Sequence, residues 1–405
     1  MSFFEYKYKI KMNWLRGNQE IEIDPLNIMN VVIDRKYNQR NHAVIYVILS
    51  VPKPLYNGLI MHKDDSMITL ETTKYPVERV ASDEDWEESI VEETCMKLDK
   101  YKYIITHDIA PETDLQHTVD ESDEEKDETP RDLYHSFTLA LIKKENIDNN
   151  KILLNKVYKN ATPMDIILQN TSKFPLVIEP FTYNRTFREL LIPPITSVCT
   201  LIKYINNLSP LYDTPYRFFM DFDKAYLLSS KGTPIKLRNE TIENIIIYIS
   251  DYARVTNRPG GASGRSRNTL ELEVNRQDTK IHTDQLEEMV YNSAYIADFL
   301  GETSNISYND DSNKKYEFLR CEIPSSKSSI LQNYKNERNM SDFMITLFKK
   351  DIDVSAITPN KNISINNYGD HDKYDGRFTL IEKKEIYVRE GEGFRCATNM
   401  TFLKL

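Results

Sequence analysis

Residues 161–180, ATPMDIILQNTSKFPLVIEP, and residues 189–230, ELLIPPITSVCTLIKYINNLSPLYDTPYRFFMDFDKAYLLSS, decide the fold. Twice over, a short amphipathic helix is followed by a turn and a strand. In the first unit Met164, Ile167 and Leu168 form a helical stripe, Phe174 and Pro175 end it, and Leu176, Val177 and Ile178 read as a strand. In the second, Val198, Leu201, Ile202 and Ile205 recur at helical spacing, and 217–228 reads as strand, turn and strand built on Phe, Tyr and Leu. No catalytic motif accompanies either unit, which points to an assembly component rather than an enzyme.

Outward from this region, the first hundred residues read as β. The segments 6–10, 21–23 and 67–73 alternate apolar with polar, and 28–33 and 43–49 are apolar β-branched runs. Alternation means one buried face, so several such strands separated by turns predict a barrel or sandwich. Pro52 and Pro54 close the strand before them, 55–60 reads as a helical turn, and 101–106 and 136–142 return as strands. Between those last two lies 112–132, with ten acidic residues against Lys126 and Arg131. Such a stretch has too little apolar surface to offset ordering entropy and is expected to be a mobile loop, a solvated insertion or a tether for a basic partner.

Beyond the helix–strand units, 241–249 is a strongly apolar run expected to be buried. The segment RPGGASGRSRN, 258–268, is Gly- and Arg-rich but lacks the Gly-x-x-x-x-Gly-Lys-Ser/Thr pattern of a phosphate loop, so it reads as a linker. Segment 270–275 alternates as a strand, and 284–300 carries Leu286, Met289, Val290, Ala294, Ile296, Ala297 and Leu300 at helical positions before Gly301, predicting a helix. Segment 341–348 is an apolar strand, and 363–365 is a short one. The close predicts three antiparallel strands at 378–381, 385–388 and 394–402, with glycines at the turns.

Composition narrows the function classes. The chain has 405 residues, long for one core, with 40% apolar residues and 25 Tyr. A net charge of -10 argues against a protein whose main task is gripping phosphates of nucleic acid. Cys95, Cys199, Cys321 and Cys396 are far apart with no Cys-x-x-Cys pair, so they read as reduced core thiols rather than disulfide or zinc ligands. The N-terminus lacks the pattern of a secretory signal, and no apolar run approaches bilayer length. The cluster Asp370, His371, Asp372 and Asp375 lacks the bidentate Glu of a calcium loop and reads as a polar turn. His107 with Asp108, and His282 with Asp284, lack a third partner at a diagnostic spacing. No catalytic residue, cofactor site or metal site is therefore assigned.

The helix–strand pair resembles the hub proteins of contractile-tail phage baseplates, their relatives among phage late-control proteins, and the hub domains of type VI secretion spike proteins. The likeness rests on Tyr216, Phe218, Phe219, Asp221, Phe222, Tyr226, Leu227 and Leu228, a hairpin of the form aromatic-x-aromatic-Asp followed by a strand ending Leu-Leu-Ser. It is strongest over 160–250, and Tyr374, Gly376 and Phe378 match the strand that begins the closing sheet of that family's second barrel. The resemblance implies a β-rich α+β fold of two small antiparallel β-barrels with interleaved helix–strand domains. The first barrel would take residues 1–110, continued by 133–160 after an acidic mobile loop at 111–132. The helix–strand units would take 161–255, a linker 256–268, and the second barrel 269–405 with a helix inserted at 284–300.

The implied role is a homotrimeric hub that joins the hexameric tail tube to a trimeric central spike and initiates tube assembly. Its partners would be the tube protein, the spike protein and other baseplate proteins, with no cofactor and no membrane anchor. DNA would only pass through a central channel, and the protein would sit in the virion tail baseplate after assembly in the host cytoplasm. No repeated β-turn needle follows position 405, so the spike is expected to be a separate protein, and the acidic loop has no counterpart in the family. Two other readings stay open: a receptor- or cell-wall-binding tail protein without catalysis, and a lytic tail enzyme.

Overall fold

The computed structural model describes residues 3–38, 41–81, 86–90, 94–95, 99–106, 134–230, 232, 234–237, 240–250, 258–259, 268–283, 293–298, 303–307, 316–321, 343–367, 375–391 and 393–405. The fold is α+β and dominated by strands. The acidic loop 111–132 and most of the linker lie outside the described residues.

The first part of the chain supplies β1 (Phe3–Arg16), β2 (Gln19–Ile23), β3 (Ile28–Lys36), β4 (Val44–Pro52), α1 (Lys53–Met61), β5 (Ser66–Ala81), β6 (Trp86–Ile90), β7 (Thr94–Cys95), β8 (Asp99–Thr106) and β9 (Tyr134–Lys143). Gly17, at φ +58°, makes the two-residue turn between β1 and β2. The expected alternation is realised in β1, where Tyr8, Ile10, Met12 and Trp14 face inward, and in β9, where Phe137, Leu139 and Leu141 do; the apolar run of β4 also turns Val47, Leu49 and Val51 inward. Helix α1 adds Tyr56 and Leu59 to this first core.

The middle part supplies α2 (Lys144–Asn150), β10 (Lys151–Ala161), α3 (Pro163–Asn170), β11 (Leu176–Ile178), β12 (Phe187–Ser197), α4 (Val198–Leu208), β13 (Tyr216–Met220) and β14 (Ala225–Ser229). Thr162 starts α3 with a capping box: its hydroxyl accepts from Asp165 N–H at 3.2 Å while the Asp165 carboxylate accepts from Thr162 N–H at 2.9 Å. Ser197 caps α4, which buries Val198, Leu201, Ile202, Ile205 and Leu208 on one stripe. In α3 the buried residues are Pro163, Ile166 and Ile167, whereas Leu168, expected on the stripe, is exposed. Strands β10 and β12 pair with each other, and β14 pairs antiparallel to β13 and parallel to β11. These elements enclose a second core of their own.

The last part supplies β15 (Asn244–Ser250), β16 (Arg258–Pro259), β17 (Thr269–Asn275), β18 (Thr279–Thr283), β19 (Ser293–Asp298), β20 (Thr303–Ser307), β21 (Tyr316–Cys321), β22 (Phe343–Lys350), β23 (Asn362–Asn367), β24 (Gly376–Glu390) and β25 (Gly393–Lys404). The segment expected as a helix over 284–300 is a strand in its described part, Ser293–Asp298, paired antiparallel to β20 and parallel to β21. Its apolar residues suit either period, and pairing with neighbouring strands overrides the helical spacing. The three closing strands are two. Segments 378–381 and 385–388 are one strand, β24, broken only by a bulge between Leu380 and Glu382.

That bulge separates two β cores that share β24 and β25. Around the first core the pairings run β1–β5–β8–β9–β4–β3–β24–β25 and back to β1, a closed antiparallel ring of strands. Around a third core they run β17–β15–β23–β24–β25–β22–β18. Here β15 lies parallel to both β17 and β23, so this half is not purely antiparallel as expected: its strands are reached by long connections rather than hairpins. It is also in this third core, and not among the helices, that Ile245, Ile247 and Ile249 are buried. Phe378, Leu380, Met400 and Phe402 face the third core, and Tyr387, Phe394 and Cys396 face the first.

Candidate functional site

Hairpin β13–β14 is the meeting point of the three cores. Phe219, Tyr226 and Leu228 enter the third core, while Phe218, Met220, Ala225 and Leu227 point the other way into the helical one. Both faces are covered, which is why the sequences YRFFM and AYLLS are apolar almost without alternation. Phe222, at the turn, packs against the first and third cores together.

The hairpin is fastened by charges at both ends. At its turn Asp221 accepts from Arg35 Nε of β3 at 2.9 Å and from Phe222 N–H at 2.9 Å, and Tyr37 Oη lies 3.4 Å away. Arg35 also donates to Glu385 of β24 at 2.5 Å and lies over the Phe222 ring at 5.1 Å. Lys383, on the same face of β24 as Glu385, donates to the carbonyls of Val354 and Ile357 at 3.1 and 3.0 Å. Lys143 of β9 and Asn146 of α2 donate to the turn carbonyls of Phe222 and Asp221. At the open end Arg217 is buried and donates to the Ser229 carbonyl at 3.2 Å, to the Leu380 carbonyl at 3.2 Å and to Thr379 Oγ1 at 3.0 Å. Glu179 accepts from Ser229 N–H at 2.8 Å and from its hydroxyl at 3.0 Å.

Burial alone would raise the Asp221 and Glu385 carboxyls. Arg35 and Lys383 beside them, with the Arg35 hydrogen bonds, overturn that and hold both below the usual carboxylate range. Burial lowers Arg35 less than Asp221 and Glu385 raise it, so its charge is secure. Burial pushes Lys383 down despite Glu385, and brings Arg217 to about 10. Two cations and two anions are thus matched inside the protein, each hydrogen-bonded, an arrangement suited to fixing the position of three packed layers.

Of the residues weighed from sequence, Asp221 and its aromatic neighbours are brought to this junction. His107, Asp108, Asp284, Asp370, His371 and Asp372 lie outside the described residues. Cys199 is half-buried, its thiol pushed up to about 11 mainly by burial, and Cys396 is buried and raised further by burial and Glu385. Both are poor nucleophiles. Among the described residues no group of His, Cys, Asp and Glu could hold a metal ion. A cleft of about 490 Å³ opens between Ile235, Glu243, Asn244, Lys361, Asn362 and Arg377. Lys361 there is already held by Glu240 and the Ile242 carbonyl. No described helix is long and apolar enough to cross a membrane.

The partners of Asp221 were not singled out from sequence. A signal was present: with Tyr387 facing inward, the period of two places Glu385 and Lys383 inward as well, a pair of opposite charges on a buried face.

The fold is similar to that of a tail protein from Neisseria meningitidis MC58, at a TM-score of 0.50 and 10% identity over 97% of this chain and 96% of that one. The 43 kDa tail protein of prophage MuSo2 from Shewanella oneidensis is similar at a TM-score of 0.48 and 6% identity, over 97% and 98% of the two chains. A type VI secretion component of E. coli, itself described as structurally similar to T4 bacteriophage tail proteins, is similar at 0.40 and 8% identity, over 98% and 77%. No curated protein matches the chain. One family model does so nearly end to end, over residues 3–404, and by that match the chain belongs to the family of the bacteriophage PBS1 gene 109 protein.

Proposed function

We propose that this protein is the hub of a contractile-tail baseplate, a homotrimeric ring that joins the tail tube to a central spike and starts tube assembly. The observation that carries the reading is the pair of β cores built on the shared strands β24 and β25. Three copies of a subunit with two such cores offer six β modules around one axis. That number suits a threefold ring docked to a sixfold tube. The fold shared with the Neisseria meningitidis tail protein and the membership of a phage family agree with it. The role in this reading is structural, with the charges at the junction holding the hairpin to β3 and β24.

Light scattering at high concentration and moderate salt tests the ring. The expected mass is about 143 kDa, three chains of 47.5 kDa. A mass that stays at 47.5 kDa removes the ring. Binding of isolated cell walls without self-association would favour a receptor- or wall-binding tail protein. Clearing of cell walls in a zymogram would favour a lytic enzyme.

A further inference from the structure

We propose that the outward face of β10–β12 is the surface on which a second copy of this chain docks head to tail, through the corner formed by residues 20–29. The inference rests on the ring reading above and assigns the two mating faces.

Strands β10 and β12 form a sheet of only two strands. Its inner face, Leu154, Tyr158, Leu190, Ile192 and Ile195, is covered by the helical core. Its outer face is not: Leu153 is 85% exposed, Leu191 61% and Val157 49%. Val157 and Leu191 are direct cross-strand partners, so their side chains stand together on that face. Lys159 and Glu189, the next outward pair, form an exposed ion pair at 3.2 Å. Single exposed apolar residues are ordinary; here Val157 and Leu191 form an exposed cross-strand pair, and Leu153, the most exposed leucine among the described residues, lies four positions before Val157 on the same strand.

Charge identifies the occupant. The module from α2 to β14, residues 144–229, holds ten Lys and Arg against eight Asp and Glu, a net of +2 in a chain whose total is -10, which leaves -12 for the rest. The patch therefore sits on a cationic module of an anionic protein. Elsewhere on the same chain, Leu26 and Met29 are 65% and 49% exposed. They follow Glu20, Glu22 and Asp24, and no Lys or Arg lies in 20–29. A cyclic head-to-tail ring needs two different and complementary patches on each subunit. An apolar patch in a cationic module and an apolar patch beside three acids meet that need, and opposite charge favours this pairing over either patch meeting itself.

The test uses the full chain in two variants, Leu153→Asp/Leu191→Asp and Leu26→Lys/Met29→Lys, each placing a charge that repels the proposed mate. Thermal melts first check that each folds like wild type; should either fail, Val157→Asp/Lys159→Glu and Glu20→Lys/Glu22→Lys replace them. The expected result is that each variant alone falls to 47.5 kDa by light scattering. Mixed in equal amounts, they form one species of about 95 kDa, two chains of 47.5 kDa, because one intact patch remains on each partner. A wild-type trimer that both variants retain overturns the assigned faces and leaves the ring. Variants that are monomeric but do not pair when mixed overturn the head-to-tail match. A monomeric wild type overturns both.

Discussion

Replacing Asp221 by Ala should cost the protein about 3–5 kcal/mol, because it strips a buried cation of one of its two anions. The carboxylate takes two good hydrogen bonds, from Arg35 Nε and Phe222 N–H, both at 2.9 Å, and it faces Tyr37. Without it the Phe222 amide and the Tyr37 hydroxyl lose an acceptor, at roughly 1–3 kcal/mol for a buried group left unmade. Arg35 keeps Glu385, which places the loss in the lower half of the range. Equilibrium urea unfolding followed by the fluorescence of the buried Trp14 and by circular dichroism measures it, and coincidence of the two probes checks that the three cores unfold together. Arg35→Met should cost a similar amount, and the double variant clearly less than the sum, since removing both members of the Asp221–Arg35 pair strands neither of them. A half-buried control at the rim, Lys36→Ala, removes a 3.9 Å pair with Glu382 and should change stability by no more than about 0.5 kcal/mol. A loss below about 1 kcal/mol for Asp221→Ala, or strict additivity with Arg35→Met, would refute the junction as the fastening of the fold.

Two further outcomes follow from the same geometry. Asp221 and Glu385 have folded pKa values below their unfolded ones, so the stability they contribute is complete above about pH 5 and is lost as the pH falls through the lower folded values. Melting temperatures across the acid range should therefore fall less steeply for Asp221→Asn than for wild type, and superimposable acid limbs would sink this reading. At Gly232, with φ +56°, an added Cβ would lie 2.4 Å from Thr379 Oγ1 and 3.0 Å from Arg217 Nη2, whereas at Gly391, with φ +60°, it meets nothing within 4 Å. Gly391→Ala should cost only the left-handed penalty of about 1–2 kcal/mol, and Gly232→Ala distinctly more, so equal losses in a denaturant titration would contradict the clash.

Local chemistry was legible in the sequence, and partnership was not. The stripe Val198, Leu201, Ile202 and Ile205 was readable because a helix with one buried face carries its own period, and the alternation in β1 and β5 was readable for the same reason. The hairpin was found by its aromatic residues, yet nothing local says that its two faces belong to different cores. Strands β10 and β12 escaped notice because an exposed Leu153 and Leu191 spoil the alternation. At 284–300 the spacing favoured a helix that tertiary pairing overrode in Ser293–Asp298. The single strand β24 was read as two because its middle, Glu382 to Glu385, is charged, and charge ordinarily marks a turn. Here it marks the passage from one core to another, with Glu385 turned inward to Arg35 and Lys383 to the Val354 and Ile357 carbonyls.

That inversion bears on how such a protein could work. A strand that runs through two cores makes them one mechanical unit, since displacing one core would break the β24–β25 ladder in both. The helical module is joined differently: its hairpin β13–β14 lays one face on the third core, and it is tied by a short bridge of Met220 to Asn41 and Ala43, by Arg217 to β24, and by the Asp221–Arg35–Glu385 cluster. Directional charges fix its orientation where apolar packing alone would allow sliding. For a ring whose neighbours dock on the cationic module, that orientation decides whether the ring closes, because a small angular error in each subunit accumulates around the axis. Loosening the cluster should therefore damage assembly before it damages folding. Asp221→Asn, which preserves the shape of the side chain, is the variant in which the two separate: a folded chain by circular dichroism that no longer reaches the trimer mass. If it assembles as well as wild type, the cluster serves stability alone.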